Sequence, residues 1–484
     1  MAVCPKRFCG SMRRYLAFDL GAESGRVVLG TLADGVLSIQ ELHRFANEPV
    51  NAGGTMHWDV LRLWHEMRRG LASAPEVDGI GVDTWGVDFA LLDEAGALLQ
   101  NPVHYRDTRT DGIPEQVFEI VPRDEIYENT GVQFMQINTL FQVYALAQRH
   151  PDLLKAARHF VTIPDLLNYW LTGRITCEYT NATTTQMFDT RARDWARPVL
   201  QKLGIPTAFL QPPIEPGTDI GPLRAELGKA RVIAPACHDT GSAIAAIEAS
   251  GATAFISSGT WSLLGTEAPA PIITPQARAY NFTNEGGVGG TTRVLKNIMG
   301  MWLLQGCRKQ WQATDYASLV ALAKPVSDLG SLINPDHPSF LHPHDMTAAI
   351  RAFCESTRQP LPATQSAYVQ TIFESLALKY RYVLDSLAQV TRQTFRTIRV
   401  VGGGARNAVL NQYLADATGC RVLAGPVEAT ALGNLVMQLV ATGAVESIAA
   451  GREIVAQSFP PEVFEPRGSG AWDAAYSRFL QYVE

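Results

Sequence analysis

Two aspartates in this chain stand where a carboxylate can act on a phosphate or on a hydroxyl. Asp19 closes an apolar run over residues 15–18 and is followed by Leu20 and the stretch Gly21-Ala22-Glu23-Ser24-Gly25-Arg26. A strand-terminal carboxylate beside such a turn suits a hydrated Mg2+ next to a triphosphate, because magnesium keeps several waters and takes one or two carboxylates. The amides of residues 21–26 could form an anion-binding nest, with Arg26 adding charge. The plainer alternative is an aspartate that accepts turn amides. Glu23 has to point away from any phosphate held there. Asp239 lies in Cys237-His238-Asp239-Thr240-Gly241-Ser242-Ala243, after a short strand at 232–234 and ahead of an apolar helix at 243–247. It reads either as a helix N-cap or as the base for a substrate hydroxyl, kept ionised by the helix dipole. In the second case His238 and Thr240 are substrate neighbours.

Further candidates come in shorter groups. Ser257-Ser258-Gly259-Thr260 offers hydroxyls and amides for a second phosphate contact, or is a simple turn. Gly402-Gly403-Gly404 lets a nucleotide lie against bare backbone, or is a connecting loop. Asp83, Trp85, Gly86 and Asp88 combine an aromatic face with hydrogen-bonding groups, as a sugar site needs, and a strand with a core tryptophan has the same pattern. Lys296, Asn297 and Gln305 are expected on one helix with Ile298, Met299, Trp302 and Leu303, the polar residues facing a cleft or water. His342, His344 and Asp345, interrupted by Pro343, read as a surface loop rather than a metal site.

These residues need a scaffold. Strands over 15–20, 26–29 and 36–43, with Ala33-Asp34-Gly35 turning between the last two, make a β-meander. That argues against a dinucleotide fingerprint, in which the glycines lead directly into a helix. A helix over 60–74 precedes a strand at 79–83 that runs on through 84–92, with a hairpin at 93–96. Helices at 139–149 and 163–171, a polar stretch at 178–186 and a proline-rich loop at 212–217 follow. Residues 254–265 repeat the strand, small-residue turn, strand pattern of 17–30, which suggests a duplicated domain with one phosphate-facing hairpin in each half. A helix over 295–309, a long helix over 366–389, a strand at 397–401 and a helix at 407–418 complete the second half.

The composition narrows the function classes. A chain of 484 residues with 46% hydrophobic and 18% charged content is globular and long enough for two or more domains. A net charge of -6 without a Lys/Arg run leaves no footprint for nucleic acid or an anionic membrane. The expected partner is a small molecule. Cysteines at 4, 9, 177, 237, 307, 354 and 420 are scattered singly, which is neither a disulfide framework nor a zinc knuckle. The apolar stretch behind the basic leader is too short for a secretory signal, and none reaches transmembrane length. A reduced, cytoplasmic protein is expected.

Several segments, in order, resemble those of the FGGY carbohydrate kinases. They are Asp19-Leu20-Gly21-Ala22 with Ser24-Gly25-Arg26, Asp83-Thr84-Trp85-Gly86-Val87-Asp88-Phe89, Tyr105-Arg106-Asp107 with Arg109, Tyr179 to Gln186, and His238-Asp239-Thr240. Ser257 to Leu263, Thr283-Asn284-Glu285-Gly286-Gly287, Leu295 to Gly300 and Ala424 to Ala429 continue the set. The resemblance implies an α/β, two-domain actin-like ATPase (ribonuclease H-like) fold with nucleotide and sugar in the cleft between the domains. The N-terminal domain is expected over 15–248 with the sugar site, first phosphate loop and base. The C-terminal, ATP-binding domain is expected over 249–466, with a leader at 1–14 and a tail at 467–484. By the same resemblance Asp239 is the catalytic base. ATP contacts fall on Asp19, Ala22, Glu23, Ser24, Gly25, Arg26, Thr260, Gln305 and Gly403. Sugar contacts fall on Gly86, His238, Asp239, Thr240 and Asn297, and Mg2+ sits near Asp19 and Asp239 through water. The implied reaction moves a phosphoryl group from ATP to the C1 hydroxyl of L-rhamnulose. L-fuculose and L-xylulose are alternative acceptors, and a non-catalytic nucleotide switch of the actin or chaperone kind is the alternative of another class. No nucleic acid, membrane or obligate protein partner is implied. Glu23, where a small polar residue is expected, and the extra leader depart from the family pattern.

Overall fold

The computed structural model describes residues 12–311, 315–323, 329–341, 343–468 and 470–483; most of the leader, with Cys4 and Cys9, and His342 lie outside the described residues. Contacts divide the chain into two compact units. The first takes in the chain up to Glu248 together with Ala268–Val294 and Ala429–Phe459, and the second takes in Ala249–Glu267, Leu295–Glu428 and the chain from Pro460 on.

The first unit is built on the strand Arg13–Leu20, buried from Tyr15 onward. It pairs antiparallel with Ser24–Ala33 and parallel with Gly79–Thr84. The sheet order is Asp219–Pro222, Arg231–Ile233, Gly79–Thr84, Arg13–Leu20, Ser24–Ala33, Val36–Ala46. The expected meander is therefore present. Asp34 (φ 51°) and Gly35 (φ 79°) both take the left-handed conformation that a two-residue hairpin turn requires. Gly79–Thr84 is buried at every position because the middle of a parallel sheet is covered on both faces. Leu16, Phe18, Ile80 and Val82 pack with Trp58, Leu63 and Met67, the last two on the helix Val60–Ser73. A second core gathers Phe89, Phe141, Phe160, Phe188 and Trp195.

One expectation changes here. The strand does not run on from Thr84 to Leu92, because the chain breaks at Val87 (φ 65°) and resumes as Phe89–Leu92. That strand pairs with His159–Thr162. The hairpin expected at 93–96 is present: the Asp93 amide donates to the Ala97 carbonyl at 3.0 Å and the Leu99 amide to the Leu91 carbonyl at 3.0 Å around the Leu92–Leu98 bridge, with Asp93 Oδ1 also accepting from the amides of Ala95 and Ala97. The polar stretch at 178–186 is buried throughout, as the helical turn Tyr179–Ala182 and the 3-10 turn Thr183–Thr185. The helix Ala429–Ala441 returns to the first unit from far along the chain, and Gln438 Nε2 donates to the Leu16 carbonyl at 3.1 Å.

In the second unit the strands lie in the order Thr292–Met299, Trp261–Ala268, Thr253–Ser258, Thr397–Val401, Arg421–Ala424, Glu462–Phe464. Thr253–Ser258 pairs antiparallel with Trp261–Ala268 and parallel with Thr397–Val401. Each unit thus carries the same device, a hairpin whose first strand runs parallel to a later strand. The helix expected over 295–309 is instead the strand Thr292–Met299 followed by the helix Trp302–Trp311. Gly300 separates them by close approach: a Cβ there would lie 3.0 Å from the Ser262 amide nitrogen. Lys296 and Asn297 therefore stand on a strand and Gln305 on a helix. The long helix is Gln365–Thr391, and Asn407 caps the helix Ala408–Thr418 by accepting from the Leu410 amide at 3.1 Å.

Candidate active site

The first hairpin holds its charges in pairs. Asp19 stands opposite Arg26 in one direction and opposite Asp83 in the other. Arg26 Nε and Nη2 both donate to Asp19 Oδ2, at 2.9 and 2.6 Å. The guanidinium expected to face phosphate thus already binds the carboxylate next to it. The turn is closed by the Gly21 amide on the Ser24 carbonyl at 2.9 Å, and Asn47 Nδ2 donates to the Gly21 carbonyl at 2.8 Å. Glu23 is exposed and Ala22 half-buried. A Cβ on Gly25 would sit 2.4 Å from the Phe45 ring, so packing alone demands glycine at that position. Asp83 is fully buried, and its Oδ2 accepts from Asn434 Nδ2 at 2.6 Å. Burial and the nearby Asp19 carboxylate push Asp83 well above the usual carboxylate range.

Asp239 is the first residue of the helix Asp239–Ala245, and His238 occupies the cap position. Asp239 Oδ1 accepts from the Thr240 amide at 2.5 Å and from Thr240 Oγ1 at 3.1 Å. About a third of its side chain, 31%, stays open to solvent. Its carboxyl is raised, mainly by burial; His238 and Thr240 pull it down, while Asp19 pushes it up. The helix end therefore does not hold it below its ordinary value, as the sequence suggested, because desolvation outweighs the favourable groups. His238 lies between carboxylates, Nε2 at 3.4 Å from Asp239 Oδ1 and Nδ1 at 3.3 Å from Glu285 Oε2. Arg293, fully buried, brings Nη2 to 3.2 Å from His238 Nδ1 and Nη1 to 3.2 Å from Glu285 Oε2, and its Nε donates to the Gly286 carbonyl at 2.8 Å. Burial works to raise Glu285, but Arg293 and His238 outweigh it and hold the carboxyl below its ordinary range. Sequence reasoning noted Glu285 only within a segment and passed over Arg293. A lone arginine in the apolar run Val294-Leu295 onward was the available signal, since a buried arginine needs a partner.

Gly86 is half-buried, and a Cβ there would meet Thr184 at 3.0 to 3.2 Å. Its neighbours hold rather than line the site, because Trp85 and Asp88 are 5% and 1% exposed. Asp88 Oδ2 accepts from Trp58 Nε1 at 2.6 Å and Trp85 Nε1 at 2.9 Å, and its Oδ1 from Gln142 Nε2 at 3.1 Å. Burial pushes the Asp88 carboxyl up from 3.8 to about 6. Between those values the folded protein holds a proton that the unfolded chain has released, so this group's contribution to stability declines as pH rises through that window. The stability difference between Asp88→Asn and the wild type should therefore move in the variant's favour by roughly 2 kcal/mol from pH 4 to pH 7, measured by thermal melts of both proteins across that range.

The second unit gathers its own candidates. The Gly259 amide donates to the Trp261 carbonyl at 2.8 Å to close the second hairpin. The Met301 and Trp302 amides bond the carbonyls of Gly259 and Thr260 at 3.3 and 3.1 Å, and Gln305 Nε2 reaches Thr260 Oγ1 at 3.3 Å. Gly402 and Gly404 press on Ser258, where Cβ atoms would fall 2.9 Å from its carbonyl oxygen and 2.0 Å from its Oγ. Gly403 faces open space, with nothing within 4 Å of a Cβ. Asn297 is half-buried on its strand. Asp345 caps the helix Met346–Ser356 by accepting from the Ala348 amide at 3.0 Å. Among the described residues no group of three or more His, Cys, Asp or Glu is arranged to hold a metal ion, and no helix is long and apolar enough to cross a membrane.

Comparison with known proteins matches the chain to the FGGY family of carbohydrate kinases, the N-terminal domain over residues 14–243 and the C-terminal domain over 254–442. The chain is 44% identical over 482 residues to the rhamnulokinase of Bacteroides thetaiotaomicron, covering 97% of this chain and 99% of that one. It is 42% identical to the rhamnulokinase of Pectobacterium carotovorum subsp. carotovorum, covering 97% and 96%. Among solved structures, gluconate kinase from Lactobacillus acidophilus superposes with a TM-score of 0.80 at 15% identity, over 98% of this chain and 97% of that one. Plasmodium falciparum glycerol kinase with ADP gives 0.75 at 17% identity, over 97% and 99%. At such identities the likeness is one of fold.

Proposed function

This chain belongs to the FGGY family of carbohydrate kinases, and on that premise we propose that it transfers the γ-phosphoryl group of ATP to the C1 hydroxyl of L-rhamnulose. It is a sugar kinase, with ATP and a sugar as its small-molecule substrates. The observation that carries the choice of sugar is 44% identity to a rhamnulokinase over nearly the whole of both chains. A reducing, cytoplasmic setting is part of the proposal, supported by five unpaired cysteines among the described residues.

Phosphoryl transfer asks the protein for positioning and charge stabilisation more than for covalent chemistry. Asp239 accepts the proton of the C1 hydroxyl as its oxygen attacks the γ-phosphorus. The bond from that phosphorus to the bridging oxygen breaks, and ADP leaves with the electron pair. A carboxyl raised by burial yet partly open to solvent suits this role, since its basicity moves toward the working pH. Gly86, His238, Thr240 and Asn297 hold the sugar, and Glu285 with Arg293 sets the His238 ring. Asp19, Ala22, Glu23, Ser24, Gly25 and Arg26 serve as the first phosphate loop, Thr260 and Gln305 as the second, and Gly403 as the flat surface for the nucleoside. Magnesium bound with ATP supplies positive charge to the phosphate oxygens. Asp19 and Asp239 would hold it through water, which fits two carboxylates of which one already raises the other.

Gly403→Leu tests the nucleotide surface. The side chain enters open space, so the melting temperature should stay within about 2 °C, while a nucleoside that needs that space should show a KM for ATP raised roughly tenfold. An unchanged KM would remove Gly403 from the site. The reaction itself is tested by NMR of the product formed from L-rhamnulose and Mg-ATP. A phosphate on C1 is expected, and phosphorylation at another position or none overturns the reading.

A further inference from the structure

We propose that Glu178, acting through Thr180, is a positioning residue for the catalytic base, an inference that rests on Asp239 being that base. Glu178 is fully buried and accepts four hydrogen bonds. Its Oε1 takes the Thr180 amide at 2.9 Å, and its Oε2 takes Thr180 Oγ1 at 2.7 Å, the Asn181 amide at 3.0 Å and the Cys237 amide at 3.1 Å. The Thr180 and Asn181 amides account for an ordinary helix cap. The Cys237 bond does not, because it ties the cap to a segment far along the chain.

Thr180 extends the tie by one residue. Its hydroxyl donates to Glu178 and accepts from the His238 amide at 3.2 Å, which gives a directed chain from His238 through Thr180 to the carboxylate. The two backbone amides immediately ahead of Asp239 are thus both held from the 178–180 segment. The Cys237 carbonyl is taken in turn by the Thr84 amide at 2.9 Å. Cys237 is fully buried, so water cannot replace these partners. A reacting group misplaced by about 1 Å can lose roughly a hundredfold in rate.

The test compares Thr180→Val, which keeps the shape and loses the hydroxyl, with Thr180→Ser, which keeps the hydroxyl and loses the methyl. Thr180→Val should lower kcat for sugar phosphorylation roughly tenfold with KM for ATP within about twofold, and Thr180→Ser should recover most of that loss. Glu178→Gln, which sets an amide donor among four donors, should lower kcat at least as far; if it does not fold, the threonine pair still decides. Placed on Asp239→Asn, Thr180→Val should cost less than about twofold further, because it acts through the missing carboxylate. A Thr180→Val enzyme with wild-type kcat, or Thr180→Ser as impaired as Thr180→Val, overturns the proposal while leaving the base reading intact. Wild-type turnover by Asp239→Asn overturns both.

Discussion

Asp239→Asn should lower sugar-dependent turnover by roughly three orders of magnitude and leave ATP binding in place. The substitution preserves shape, and the Asn carbonyl oxygen can still accept from the Thr240 amide that bonds Asp239 Oδ1. What disappears is the capacity to take a proton. His238, 3.4 Å from Asp239 Oδ1, is pinned at its other nitrogen by Glu285 and Arg293 and cannot swing into the place of the base. The raised Asp239 carboxyl has the same consequence, because a base brought nearer the working pH is harder for water to replace. Steady-state kcat with titration calorimetry of ATP separates the two effects. Turnover within tenfold of the wild type would take the base assignment away from Asp239.

Gly433→Ala should cost both stability and rate. Gly433 lies in the helix Ala429–Ala441, and a Cβ there would stand 1.7 Å from the Ser242 carbonyl oxygen, 2.7 Å from its carbon and 3.1 Å from the Ala246 amide nitrogen. These are backbone atoms of the helix that begins at Asp239 and its C-cap, so no side chain can swing aside. Separating the helices should cost about 3 kcal/mol, the upper part of the range for overpacking. The helix propensity gained over glycine returns at most about 1 kcal/mol. Because Asn434 holds Asp83 and Ser242 belongs to the helix of Asp239, the displacement reaches the carboxylates, and kcat should fall at least tenfold. Urea melts with kcat at saturating substrates check both parts. A variant with raised stability and unchanged kcat would contradict the packing account.

What was legible in the sequence was local. Asp34-Gly35 marks its hairpin because few residue pairs accept two left-handed conformations in succession. The turn after Asp19, the helix at 139–149 and the segment around Asp239 carry their signals within a few residues. The region around 295–309 misled because apolar residues there satisfy a helical period on both sides of Gly300, while the strand Thr292–Met299 is set by sheet pairing that no short window contains. The polar stretch at 178–186 can be buried because the hydroxyls of Thr183, Thr184 and Thr185 bond carbonyls three residues earlier and Asn181 reaches distant backbone at Trp85 and Cys237, partners that no composition reveals. Asn434 and Asp83 meet across 351 positions of sequence, and the Glu285, Arg293 and His238 cluster likewise draws on separate strands and loops. Only the fold brings such groups together.

The central claim is most directly tested by ADP release from Mg-ATP across L-rhamnulose, L-fuculose, L-xylulose, D-xylulose and glycerol. The expected result is the highest kcat/KM with L-rhamnulose and far slower release without sugar. ATP turnover that no sugar stimulates would contradict the kinase itself in favour of a nucleotide switch, and a clear lead for another sugar would contradict the choice of L-rhamnulose.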